Sequence, residues 1–315
     1  MRPWDVHHPP RADGRVFLVT GGNAGIGYFV AEQLAATGAT VVLGSRDAAK
    51  AEAAIASIRA HVPGAHVRHV PLDLADPASV RRSADALGTD RLDAVVHNAG
   101  VLVDGPVRRV TPEGHELMFA TNHLGHFALT AWLAPLLSAT PASRVVTTGS
   151  FVGKTARLDL DDLQSARGYR AKAAYARSKL AQMLFGLELD RRVRATGGTT
   201  LSVVTHPGGA LDSLTPSRPP VHVRTAWQRV RSLPAALLLQ GKDAGAWPTV
   251  RAVLDPSAEG GRLWGPRVLG LRGAPRLEPV SGPPADQALA RRLWAASVDL
   301  TGVEPDFTGR SPGSP

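Results

Sequence analysis

Val16-Phe17-Leu18-Val19-Thr20-Gly21-Gly22-Asn23-Ala24-Gly25-Ile26-Gly27 is the stretch on which the fold turns. Val16–Thr20, apolar and β-branched, reads as a buried strand. Glycines at 21, 25 and 27 follow, and Gly25–Thr37 has the spacing of a helix. A backbone that turns sharply there and approaches an anion closely needs positions without side chains. The N–H groups of the helix's first turn then point at that anion. The spacing is G-x3-G-x-G rather than the G-x-G-x-x-G fingerprint. An ordinary glycine-rich turn is the alternative reading. The strand–loop–helix context at the start of the chain favours nucleotide binding by Gly21, Asn23, Ala24, Gly25, Ile26 and Gly27.

Outward from this loop the same alternation repeats. Thr40–Leu43, His66–Val70, Ala94–His97, Arg144–Thr148 and Thr200–Thr205 read as strands. Ala48–Ala60, Val80–Leu87, Pro112–Leu137 and Ala171–Arg194 read as helices. Alternating β and α segments imply a parallel sheet with helices on both faces. Right-handed crossovers then give an α/β, doubly wound parallel sheet, the Rossmann fold. After Pro207 the strand period is lost and residues 211–247 become rich in Pro, Arg, Trp and Leu. This segment reads as a C-terminal substrate-covering insertion, a lid over an apolar pocket, with a packed helix pair as the alternative. Gly245–Leu254 reads as a helix, Gly260–Gly273 as a last strand and its turn, and Pro284–Leu300 as an amphipathic helix. The expected organisation is an N-terminal extension (1–14), a single domain (15–302) containing the 211–247 lid, and a disordered tail (303–315).

Composition removes several function classes. The 315 residues include no cysteine, which excludes disulfides, thiolate metal sites and a Cys nucleophile. No His/Asp/Glu cluster has metal-ligand spacing, so no metal is expected. The first fifteen residues lack the apolar core of a secretion signal, and no apolar run of about 18 residues is present. A cytoplasmic location is expected. The formal charge is +9, but the arginines are scattered without interleaved aromatics, so no nucleic-acid partner is expected. An amphipathic stretch around Trp227 with Arg224, Arg229 and Arg231 could lie on anionic lipid, although membrane contact is not expected.

The second strand ends in Leu43-Gly44-Ser45-Arg46-Asp47. An acidic residue at the strand tip would take the ribose hydroxyls of NAD. Ser45 and Arg46 stand there instead, and a guanidinium suits a 2′-phosphate. NADP(H) is therefore favoured and NAD(H) is the alternative; Asp47 could cap the next helix. Tyr175 and Lys179, at i and i+4 of a helix, share one face. A nearby ammonium, with a positive nicotinamide ring, would lower a phenol pKa from about 10. Such a phenol can exchange a proton with a carbinol oxygen. Ser150, just after Arg144–Thr148, could hold the same oxygen. Alone, the Tyr–Lys spacing equally describes a surface helix pair.

Together these pieces resemble the short-chain dehydrogenase/reductase family. TGGNAGIG (20–27), LDL (72–74), HNAG (97–100), TNHLGHF (121–127), VVTTGS (145–150), YARSK (175–179) and HPGG (206–209) occur in the family's order. The resemblance implies a tetrad of Asn122, Ser150, Tyr175 and Lys179. Tyr175 would be the acid/base and Ser150 would orient the carbonyl. Lys179 would hold the nicotinamide ribose, and Asn122 would position a relay water. Asp73 and Leu74 would lie along the adenine side, Asn98, Ala99 and Gly100 beside the cofactor, and Pro207 and Gly208 at its far end. TNHLGHF, residues 159–185 and ARRLWAASVDLTG (290–302) are similar to the retinol-dehydrogenase-like branch and its bacterial relatives. That branch acts on lipophilic aldehydes, ketones and alcohols, and includes tailoring reductases of bacterial secondary metabolism. Three departures stand out: His97 for the usual Asn, Gly149 for the usual Ser, and Asp212 where many members have Thr.

The resulting expectation is NADPH-dependent reduction of a ketone or aldehyde on a lipophilic small molecule, with Tyr175 as general acid. An NAD(P)+-dependent alcohol dehydrogenase and a non-catalytic cofactor-binding protein are the alternatives. A homodimer or homotetramer is compatible with the family. His123 and His126, beside Asn122, could line the site or be core histidines.

Overall fold

The structure, a computed structural model, describes residues 4–223 and 225–308. β1 (Val16–Thr20) leads into α1 (Gly25–Ala35), followed by β2 (Thr40–Ser45), α2 (Ala48–His61), β3 (His66–Pro71), α3 (Pro77–Asp85) and β4 (Ala94–His97). The second half holds α4 (Leu117–Phe119), α5 (Gly125–Ala139), β5 (Arg144–Thr148), α6 (Ala171–Ala195) and β6 (Leu201–Thr205). It continues through α7 (Ala226–Arg231), α8 (Lys242–Gly245), α9 (Trp247–Leu254), β7 (Leu263–Val268), β8 (Arg272–Glu278) and α10 (Gln287–Thr301). The eight strands form one sheet in the order β3-β2-β1-β4-β5-β6-β7-β8. All neighbours are parallel except β7 and β8.

Chain order reverses between β1 and β4, so the loops leaving these strands diverge and open a crevice at their carboxyl ends. Side-chain alternation along the strands builds a core on each face. Phe17 and Val19 point to one face with Phe29, Val41, Leu43 and Trp264. Leu18 points to the other with Val42, Val95, Phe127, Phe185 and Trp294. Among the described residues no helix is long and apolar enough to cross a membrane.

Three expectations are corrected. The Pro112–Leu137 helix begins only at Leu117: residues 110–116 close a tight turn through a Val110–Glu116 bridge, with Gly114 at φ +86°. Glu116 then caps the helix, its carboxylate accepting from Met118 N (3.1 Å) and Phe119 N (2.7 Å). Helical spacing was present in residues 112–116, but the side chain that ends the turn decides where the helix starts. Second, the strand and turn expected over Gly260–Gly273 are β7 and its turn at Leu269–Gly270, but that strand is not the last: the turn leads into antiparallel β8. Third, residues 303–308 are not a disordered tail. Phe307 is buried in the core, and Glu304 Oε1 accepts from Trp294 Nε1 (2.7 Å) and Arg192 Nη1 (3.2 Å). The remainder of the expected tail, 309–315, lies outside the described residues.

The 211–247 segment, which holds α7 and α8, is anchored at both ends. Arg218 forks onto Glu32 of α1 (2.7 and 3.1 Å), and the buried His222 ring stacks on Phe29 (5.1 Å). At the other end Gln240 Nε2 donates to Pro207 O (2.9 Å) and Gln240 N to Gly209 O (3.0 Å).

Candidate active site

The crevice at the sheet's switch point has a volume of about 460 Å³. It is walled by the loops leaving β1, β2, β3, β4 and β5, by α6, and by Pro207 after β6. At its phosphate end, Ala24 precedes α1 and supplies no side-chain cap, so the first-turn N–H groups have no intramolecular anion there. Gly27 shows why the third glycine is needed. A Cβ there would lie 2.4 Å from Gly21 O and 2.3 Å from Asn98 Nδ2, forcing helix and strand apart. Thr20 organises the floor: its hydroxyl accepts from Asn98 N and Ala99 N, both at 3.0 Å, and Asn98 Nδ2 donates to Thr20 O (3.0 Å). These features fit a dinucleotide laid across the two loops.

At the adenosine end, Ser45, Arg46 and Asp73 line the crevice with Leu74. Ser45 is buried against His69, whose Nε2 donates to Ser45 O (2.9 Å). Arg46 is exposed at the rim. Asp47 caps α2, accepting from Lys50 N at 3.0 Å, which explains an acidic residue at this rim. The reading of the sequence did not include Lys50, which also lines the crevice. It lies in the first turn of α2, directly after the strand tip that carries Arg46.

At the other end stand Ser150, Tyr175 and Lys179. Ser150 continues β5, and the other two occupy successive turns of α6. The Ser150 hydroxyl lies near enough to the Tyr175 phenol to influence its titration. The ammonium of Lys179 donates to Gln182 Oε1 (2.8 Å) and Thr148 O (3.2 Å), and lies 5.9 Å from the Tyr175 ring centre. Burial pushes the Tyr175 phenol up, with the neighbouring Ser150 hydroxyl acting the other way. The lowering expected from Lys179 and a nicotinamide ring is not what these side chains produce by themselves: burial of the phenol sets the direction. Burial brings Lys179 down to about 8.

Asn122 does not line the crevice; it sits fully buried in a π-turn, Ala120–Leu124, between α4 and α5. Its side chain accepts from Val101 N (2.7 Å) and donates to Val101 O (3.1 Å) and Ser178 Oγ (2.9 Å), so it braces the crevice wall from behind. Gly27 and Gly208 likewise stand outside the lining, Gly27 through the close packing above. Gly208 (φ +68°) faces Leu271 and Pro266 instead. Asn23, Ala24, Gly25, Ile26, Gly21, Asn98, Ala99, Gly100 and Pro207 all line it.

The two neighbouring histidines are core residues. His123 Nε2 meets Ser297 Oγ (2.8 Å). His126 Nδ1 lies 2.8 Å from Asn122 O and Nε2 2.9 Å from Thr20 Oγ1, so the Nδ1–H tautomer satisfies both. Burial brings both rings down to about 3, leaving them neutral. The departures also find their reasons. His97 stacks on His126 (4.6 Å) and meets Thr130 Oγ1 (3.3 Å). Met183 fills the space beside Gly149, where a Cβ would lie 2.6 Å from Met183 Cγ. Asp212 forms an ion pair with Lys242 (2.5 Å).

One link had no sign in the sequence. Glu278 of β8 bonds to Lys154, four residues after Ser150, and to His206 Nε2 (3.2 Å), just before Pro207. His206 Nδ1 accepts from Gly208 N (3.3 Å), so Nε2, which faces Glu278, carries the ring proton. Burial pushes the Glu278 carboxyl up, but the hydrogen bonds from His206 and Lys154 outweigh it and hold the group at about 2. This carboxylate ties the Ser150 loop to the Pro207 loop.

The family model for short chain dehydrogenases matches residues 15–210. A polyprenol dehydrogenase of Mus musculus is 39% identical over 303 residues, spanning 93% of this chain and 86% of that protein. Retinol dehydrogenase 13 of Homo sapiens is 35% identical over 303 residues, spanning 95% and 88%. Among solved structures, an uncharacterized protein from Mycobacterium paratuberculosis superposes with a TM-score of 0.78 at 34% identity, covering 96% of this chain and 99% of that one. The RhlG/NADP complex of Pseudomonas aeruginosa has a TM-score of 0.61 at 28% identity, covering 81% and 96%. With the crevice and the Ser150–Tyr175–Lys179 group in place, these likenesses establish that the chain belongs to the short chain dehydrogenase family, in its retinol-dehydrogenase-like branch, and is an oxidoreductase of CH–OH and C=O groups.

Proposed function

We propose that the protein is an NADPH-dependent reductase of a ketone or aldehyde on a lipophilic small molecule, natural-product ketones included. The observation that carries the direction is the Tyr175 phenol. Burial favours its protonated form, beside Ser150 at the end of the crevice, which is the state a general acid needs. Cofactor preference rests on the pair of cations, Arg46 and Lys50, at the rim, with Asp47 committed to its helix cap. NADPH would supply the hydride to the carbonyl carbon. Ser150 would hold the carbonyl oxygen, and Tyr175 would deliver its proton there as the carbon is reduced. Lys179, anchored by Thr148 O and Gln182, presents a positive charge beside the phenol that favours the phenolate left behind. Asn122 acts from behind the wall, fixing Val101 and Ser178. The 211–247 segment, pinned to α1 and to Pro207, would border the substrate.

Purified protein should oxidise NADPH, and NADH much more slowly, against a panel of lipophilic aldehydes, aromatic ketones and quinones. Turnover confined to alcohols with NAD+ would replace the reductive reading by the oxidative one. Binding of NADPH without turnover on any compound in either direction would leave a cofactor-binding protein.

The Lys179 charge also sets a pH dependence. With its folded value about 8, the ammonium is present below that pH and lost above it. The kcat/KM for the carbonyl, which reports the free enzyme, should therefore fall on the alkaline side of about pH 8. A profile flat from pH 7 to 10 would separate Lys179 from the proton transfer.

A further inference from the structure

The surface formed by the 211–243 segment and the β7–β8 hairpin is apolar and has an excess of basic residues. Residues 211–243 and 259–278 together contain eight arginines and one lysine against Asp212, Asp243, Glu259 and Glu278, with Lys242 paired to Asp212. Arg218 pairs with Glu32 and Arg262 with Glu259, while Arg231, Arg267 and Arg276 are exposed. The same segments expose large apolar side chains: Leu237 is 75% exposed, Leu269 72%, Trp227 68%, Val223 61%, Leu238 56% and Val230 55%. Such side chains standing together on a surface mark an interaction site more often than scattered exposure does.

These side chains are placed together by contacts in the fold. Arg272 Nη1, in the first residue of β8, donates to Leu237 O (3.1 Å), which sets the 233–238 segment beside the β7–β8 hairpin. On its other flank the hairpin turn reaches Phe151, whose Cε2 lies 3.7 Å from where a side chain on Gly270 would begin. Phe151 is itself 45% exposed and follows Ser150 directly. The apolar surface therefore runs from α7 across the hairpin turn to the catalytic serine's loop.

We infer that this face docks the protein on an anionic lipid bilayer, with the mouth of the crevice toward the membrane. Leucines, a valine pair and a tryptophan without a shaped groove suit a fluid apolar phase better than a folded partner, and Trp is favoured at the lipid interface. The exposed Arg231, Arg267 and Arg276 supply the attraction to anionic headgroups, and their aliphatic stems can stay in contact with the apolar layer. From sequence alone this stretch reads equally as a packed helix pair. The exposure of Trp227 and Leu237 and the basic hairpin beside them give it a lipid-facing role. The docking does not rest on the substrate class proposed above.

The test is co-sedimentation of the whole protein with phosphatidylcholine vesicles, with and without phosphatidylglycerol, at low and high salt. Binding is expected only with the anionic lipid and should weaken as salt rises. The hairpin variant Arg267→Ala/Leu269→Ser should weaken partitioning by roughly fivefold for its lost charge, and further for its lost leucine. Trp227→Ser should weaken it too. The hairpin variant should keep its kcat on a water-soluble carbonyl, which separates docking from chemistry. Absence of binding to the anionic vesicles, or equal binding by wild type and both variants, would overturn the inference. So would salt-insensitive self-association of the wild type that the hairpin variant abolishes without any vesicle binding, since the face would then join two copies of the chain.

Discussion

Tyr175→Phe is expected to lower kcat for carbonyl reduction by about 100- to 10,000-fold, the usual range for losing a positioned general acid, while leaving NADPH binding intact. The substitution removes one oxygen from a half-buried ring and leaves its packing in place. None of the hydrogen bonds that hold Lys179 involves the phenol, so Lys179 keeps its bonds to Thr148 O and Gln182. Phenylalanine has no proton to give the developing alkoxide, and water at the same spot is neither held nor acidified. Stopped-flow reduction and fluorescence titration with NADPH separate the two effects. Turnover within threefold of wild type would remove Tyr175 from the proton transfer; loss of NADPH binding in parallel would mean that the ring supports the cofactor rather than the acid step.

Arg46→Ala should raise the KM for NADPH by ~10- to 100-fold, because a hydrogen bond to a charged group contributes about 1.5–3 kcal/mol. Its effect on NADH should be small, since NADH has no 2′-phosphate for the guanidinium to meet. The value lies toward the lower end at physiological salt, because Arg46 is exposed and its charge is screened. Lys50→Ala should act in the same direction. The double variant should fall short of the product of the two, since neighbouring cations share one anion. Asp47 is the reason for expecting reduced NADPH use rather than a clean switch to NADH: its carboxylate faces Lys50 N and lies 3.5 Å from Lys50 Nζ. An unchanged NADPH-to-NADH ratio in Arg46→Ala would place the adenosine end elsewhere.

The strength of the local patterns explains what was legible in advance. Val16–Thr20, Ala94–His97 and Arg144–Thr148 are short apolar runs bounded by glycine or polar residues, and each is a strand over those same residues. Tyr175 and Lys179 needed only helical spacing to share a face, and α6 supplies it. Weak local patterns misled in proportion. Residues 112–116 could be helical by spacing, and the Glu116 cap settles otherwise. β8 carries Gly, Pro and two arginines in seven residues, which is no strand signature, and it pairs because β7 offers an open edge.

The sequence by itself determined the doubly wound sheet, the glycine loop at its switch point and the Ser150–Tyr175–Lys179 group, because period, turn chemistry and spacing act over a few residues. Only the tertiary structure decided which of these groups face the crevice and in what charge state. Asn122 stands behind the wall because a π-turn and Val101 place it there, and Tyr175 stays protonated because its neighbours exclude water. Glu278 joins Lys154, 124 residues away, to His206 across β7. Desolvation and ion pairing depend on atoms brought together through the folded core, and no pattern local to any one segment records them.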